Sequence, residues 1–171
     1  EALYRSMERT HARSGKRTPT ALLEQLRGNL LLAAVPSTER SRLSAHCESV
    51  DLAFGDILHE QGDRIHHVYF PTASAISLIS FIDKKPKLEV GLIGVEGMLG
   101  ASLALGVDVA PLRAIVQGAG TAVRIEAGQF CRELRRSPGL ARVLRRYVCV
   151  LMNQLAQMAA CTRFHLVEAR L

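Results

Sequence analysis

The sequence predicts an α+β protein: short helices first, then an antiparallel β-roll or jelly-roll, then one long helix. Three observations predict it. Between Glu48 and Ile125, short apolar runs are cut by turn residues roughly every 8–12 residues, the texture of a β-sandwich or barrel. Before and after that region, apolar residues recur at helical spacing. From Leu140 to Leu171 neither proline nor glycine interrupts the chain.

Taken in order, Glu1 to Thr20 is polar and basic, ends in Gly15-Lys16-Arg17-Thr18-Pro19-Thr20, and reads as a flexible, solvated arm. Leu22, Leu23 and Leu26, then Leu30 to Leu32, predict helix from Ala21 with a break at Gly28-Asn29. Pro36-Ser37-Thr38-Glu39 predicts a second start, with Ser37 as cap and Glu39 in the first turn, running to about His46. Strands are predicted at Ser49–Phe54, Ile57–Glu60, Arg64–Phe70, Ala75–Ile82, Leu88–Ile93, Leu112–Gln117 and Thr121–Ile125, each ending at glycine, proline or aspartate clusters or at the next helix. Met98 to Leu105 reads as a short helical turn, and Glu126 to Leu134 as a short helix. Ser137-Pro138 supplies a cap and a first-turn proline for the last helix. The layout is an arm at 1–20, a β-roll with its helices at 21–136, and the long helix at 137–171.

Pro138 to Leu171 would span about 50 Å at 1.5 Å per residue, too long to lie wholly on a small barrel. Leu144, Val148, Leu151, Leu155, Met158, Thr162 and His165 recur at alternating spacings of four and three. That is a seam for pairing with a second copy across a two-fold axis. A second stripe, Leu140, Val143, Tyr147 and Val150, is left to pack on the roll.

Composition narrows the function classes. The 171 residues carry a formal net charge of +6 and a pI near 9.5. The basic residues are spread over the first seventeen positions, Lys84-Lys85 and Arg132 to Arg146, not gathered in one patch. Aromatics make up 5% with no tryptophan, so no platform for stacking single strands is visible. Cys47, Cys131, Cys149 and Cys161 form no C-x-x-C pair, which argues against a zinc or iron–sulfur site and for reduced thiols in a cytosolic protein. No signal peptide and no apolar run of membrane-spanning length are visible.

The candidate site centres on Leu88 to Gly100, where four glycines lie among bulky apolar residues with Glu96 in their midst. A strand leaving a sheet into Gly94-Val95-Glu96-Gly97 offers free backbone N–H groups and one carboxylate to a small polar ligand. A second constellation, His59, Glu60, His66 and His67, would suit a cupin-like metal-dependent enzyme using His59 with His66 or His67. Neighbouring His66 and His67 face opposite sides of a strand, so only one could join His59. Cys161 and His165 share a helix face, but two residues cannot close a metal site in one chain. No metal ligand set, Ser-His-Asp set, P-loop or dinucleotide fingerprint is found, and the chain is not read as an enzyme.

Gly94-Val95-Glu96-Gly97-Met98-Leu99-Gly100 resembles the motif at the matching place in the Crp/Fnr superfamily of bacterial transcription regulators. Val68-Tyr69-Phe70-Pro71 and the run Cys161-Thr162-Arg163-Phe164-His165-Leu166-Val167-Glu168-Ala169-Arg170-Leu171 fall in family order, so the resemblance covers about Asn29 to Leu171. It implies a cyclic-nucleotide-binding-like sensory β-roll and a dimerisation helix in a cytoplasmic homodimer. DNA would be bound only through a C-terminal helix-turn-helix domain beyond this sequence, controlled allosterically by a small-molecule effector. It places the effector near Gly94, Glu96, Gly97, Arg113 and Ala114. In cyclic-nucleotide-binding relatives a Gly-Glu pair holds the ribose and an Arg-Ser or Arg-Thr holds the phosphate. Here Val95 precedes Glu96 and Ala114 follows Arg113, and aligning Val116-Gln117-Gly118 on the family's strand puts Leu112 at the phosphate arginine's place. A cyclic nucleotide is therefore a doubtful effector, and the cysteine group that holds an iron–sulfur cluster in some relatives is lacking.

Overall fold

Alternation along three strands sorts the core into two clusters. On one strand, Val68 and Phe70 point one way and Tyr69 the other; on another, Val123 and Ile125 oppose Ala122. One face therefore meets the helices and the other meets a second sheet. The computed structural model of the chain describes residues 13–15, 19–82 and 85–164, with side chains for 21–81 and 88–157.

The strands are β1 (Arg13–Gly15), β2 (Cys47–Leu52), β3 (Ile57–His59), β4 (His67–Pro71), β5 (Ala75–Ile82), β6 (Lys85–Ile93), β7 (Arg113–Gly118) and β8 (Gly120–Glu126). They form two antiparallel sheets, ordered β1-β2-β8-β4 and β3-β7-β5-β6. The helices are α1 (Pro19–Gly28), α2 (Leu30–Ala33), α3 (Ser37–Ser44), α4 (Ala127–Arg136) and α5 (Pro138–Phe164), with a 3-10 turn at Ala101–Leu105. This is the expected order of elements. Arg13–Gly15, inside the stretch read as an arm, forms the edge strand β1 on β2.

Three local expectations are corrected. The fourth strand starts at His67, not Arg64, because Arg64 bridges Val109 and the Ile65 N–H donates to the Asp108 carbonyl, outside the β8 ladder. Ser37 does not cap α3: Pro36 holds that position and makes no side-chain cap bond. Nor does a side chain from the preceding residue close the start of α5. Glu39 of α3 does so instead, its carboxylate accepting from the Gly139 N–H (3.2 Å) and the Leu140 N–H (2.9 Å). Ser137 instead accepts from Arg42 at 2.6 Å, while the same guanidinium donates through Nε to the buried Glu133 at 2.9 Å. A Cβ at Gly139 would press on the Pro36 ring (2.6 Å), so α3 and α5 meet closely there because residue 139 has no side chain.

The helix-side core joins Leu26, Leu32 and Leu43 to Phe70, Val123, Phe130, Leu140 and Leu144. The inter-sheet core joins Val50, Leu52, Ile76, Val116 and Ala122. Burying a large apolar side chain is worth about 1.5–3 kcal/mol, so these clusters fix where α5 leaves the roll.

Candidate functional site

The Gly94–Gly97 loop is where the expected ligand contacts can be checked. Its backbone groups are largely spent on the protein. The Gly94 N–H donates to Glu96 Oε1 (2.8 Å), the Gly97 N–H to the Gly94 carbonyl (3.2 Å), and the Val95 carbonyl accepts from Leu30 (2.7 Å). Asn29 is fully buried, and its Nδ2 donates to the carbonyls of Gly97 and Pro71, both at 2.9 Å, while Oδ1 caps α2 through Leu32 N–H. On the other side, Tyr147 of α5 accepts from the Met98 N–H at 3.2 Å and donates to the Met98 carbonyl. A Cβ at Gly97 would run into the Tyr147 hydroxyl. The Gly94 and Gly97 N–H groups expected to be free are thus occupied, and the loop is a junction tying α2, the end of β4 and α5 together. Glu96 itself is exposed.

Arg113, at the start of β7, is also engaged. Its Nε meets Glu60 Oε2 at 2.7 Å, and its guanidinium lies 4.3 Å from the centre of the Phe81 ring. Ala114 is fully buried in the inter-sheet core.

A cavity of about 510 Å³ lies instead between the second sheet, the 3-10 turn and α5. Gly91 and Ile93 of β6, Leu78 of β5, Leu112, and Val148 and Leu151 of α5 are among its walls. Neither Glu96 nor Arg113 belongs to its lining, and Leu112 does. Its polar side chains are His59, Ser102 and Gln154, and no charged residue lines it among those described. No local pattern reveals it, because its walls come from many separate stretches of mostly ordinary apolar residues. The one available signal was Leu112, standing where the family resemblance asks for a cation.

His59 is buried; its Nε2 donates to the His67 carbonyl at 2.9 Å, and burial lowers its pKa. His67 is lowered too, by burial and then by Arg124. Among the described residues no group of three or more His, Cys, Asp or Glu could hold a metal ion. Several basic side chains are taken up in separate ion pairs: Arg124 with Glu48 (2.6 Å), Arg42 with Glu133 (2.9 Å), Arg64 with Asp108 (3.2 Å).

On α5, Leu144 is 1% exposed in the core of its own chain, while Val148 and Leu151 wall the cavity. Leu155 is 53% exposed. The side chains of Met158 and Thr162 lie outside those described, as does all of His165. No described helix is long and apolar enough to cross a membrane.

No family model matches the chain, and no curated protein matches its sequence. Solved structures do. A regulatory subunit of a cAMP-independent protein kinase A from Trypanosoma brucei superposes with TM-score 0.65 at 15% identity, over 75% of this chain and 46% of that one. The N-terminal domain of a transcriptional regulator from Streptomyces coelicolor A3(2) gives 0.57 at 21% identity, over 79% of this chain and 94% of that one. The sensor domain of the transcriptional regulator DNR from Pseudomonas aeruginosa gives 0.62 at 14% identity, over 81% and 93%. The chain thus spans under half of the kinase subunit and nearly all of the two regulator domains. The roll has the fold of cyclic-nucleotide-binding domains.

Proposed function

We propose that this chain is the effector-sensing and dimerising part of a Crp/Fnr-like transcription regulator, working in the cytoplasm and controlling a DNA-binding domain through α5. The observation that carries the reading is the double duty of α5. Its first turns are locked into the roll through Leu140, Leu144 and Tyr147, and its next turns form a wall of the cavity. A molecule in that cavity touches the helix directly, so any difference in its affinity for two helix positions shifts their populations. The likeness to two regulator domains over most of their length supports the same role.

The junction at Gly94, Glu96 and Gly97 borders this wall through Met98 and Tyr147, so an effector near Glu96 would act on the same helix. Dimerisation is assigned to the later turns of α5: Leu155, exposed at the rim of the cavity, then Met158, Thr162 and His165 of the seam. Leu144 is already used inside the chain. Sedimentation of the purified chain tests this. A dimer at micromolar concentration that falls to monomer in Leu155→Glu is expected; a monomeric wild-type chain would remove the dimerising half of the proposal. Native mass spectrometry of the protein as purified reads out any effector carried with it.

A further inference from the structure

The cavity has a chemistry of its own. It runs from the core to the surface: Met98 and Ile93 at its inner end are 1% and 4% exposed, while Leu92, Leu105 and Met152 at its mouth are each more than half exposed. Its volume of about 510 Å³ is in the range that encloses small organic ligands. No charged side chain lines it among the described residues, and the nearby sequence candidates for charge are committed elsewhere, Arg113 to Glu60 and Glu96 to its own loop. An anion brought into these walls would lose its water and find no cation in exchange.

One buried polar function in the lining is left without a partner. Ser102 lines the cavity, and its Oγ is buried with no hydrogen-bond partner among the described residues. His59 uses Nε2 as donor to the His67 carbonyl, which leaves Nδ1 of the neutral ring as an acceptor. A buried hydroxyl such as that of Ser102 is normally satisfied.

Resting on the sensing role above, we propose that the cavity receives an uncharged, largely apolar small molecule with one hydroxyl- or amine-type polar group. The apolar body lies along Leu78, Ile93, Leu112 and Leu151, and the polar group meets Ser102 or His59. The occupant is a small molecule because the space deepens to nearly buried residues, which the exposed face of a second helix would not fill.

N-Phenyl-1-naphthylamine is a suitable probe: apolar, uncharged and carrying one N–H. Its fluorescence on titration into the full chain should report one site with a dissociation constant of about 1–10 μM. 8-Anilinonaphthalene-1-sulfonate, a similar body with a sulfonate, should bind at least roughly tenfold more weakly. Met152→Trp and Leu92→Trp, at the exposed mouth, should each weaken the neutral probe by a similar factor. Leu88→Trp, exposed on the same strand but outside the lining, should not.

Absence of binding by the neutral probe, equal affinity for the sulfonate, or indifference to both mouth variants would each overturn the proposal. So would neutral-probe affinity that falls as protein concentration rises through dimerisation, which would make a second copy the occupant. Saturable probe binding that leaves hydrogen exchange along α5 unchanged would uphold the ligand class while removing the sensing role.

Discussion

Tyr147 shows how much one side chain can carry here. Its hydroxyl is a partner of the Met98 N–H, and both residues are buried. Tyr147→Phe leaves that N–H unsatisfied, which costs about 1–3 kcal/mol. Chemical denaturation should show that loss with the fold retained. Arg113 makes the opposite case. With its guanidinium on Glu60 and Phe81, cyclic AMP should bind poorly, and Arg113→Ala should change that little in calorimetric titration. A low-micromolar affinity abolished by the substitution would contradict it. Gly97 was visible in the sequence as special, but the reason was not. Spacing suggested room for a ligand; the structure gives room for the Tyr147 hydroxyl, fifty residues away, which no local pattern encodes. Asn29 was equally hidden, since a helix break looks the same whether its side chain points to water or binds two carbonyls in the core.

Among the elements, strands and helices followed their punctuation closely. Turn residues such as Gly55-Asp56 and Gln61-Gly62-Asp63 act locally, so β2 and β3 end within two residues of where the sequence places them, at Leu52 and His59. Pairing was not local, and β8 lies between β2 and β4 only because distant stretches share one apolar face. The start of α5 was misread for the same reason: a serine before proline looked sufficient, and a glutamate from another helix does the work. Glu39→Ala should remove a charged acceptor at the helix start and cost roughly 1–2 kcal/mol, with Glu39→Gln in between. Thermal unfolding ranks the three, and an undisturbed Glu39→Ala would show that the contact between α3 and α5 holds without the cap.

For the molecule as a whole, two histidines set a pH dependence. His59 and His67 have pKa values lowered from 6.5, in both cases chiefly by burial. As pH falls, the unfolded chain takes up protons on these rings before the folded chain does. Stability is therefore full above the ordinary histidine range and declines as pH drops through and below it. The melting temperature should fall across that interval, and His59→Gln should flatten the slope. A profile unaltered by the substitution would assign the effect to other groups. The cavity belongs to this scale too. It exists only when β5, β6, the 3-10 turn and α5 are assembled, so its apolar wall could not be read from any one stretch.

The contact between Glu39 and Leu140 spans 101 residues. During synthesis α1 to α3 leave the ribosome well before β8, α4 and α5, yet Leu26, Leu32 and Leu43 have core partners in Val123, Phe130 and Leu140. At about 5–20 residues per second, a delay of roughly a hundred residues leaves those apolar faces waiting for roughly 5–20 s. The nascent chain is a candidate for chaperone binding throughout that interval, and release comes with the arrival of α5. A later-made helix thus secures helices made about a hundred residues before it.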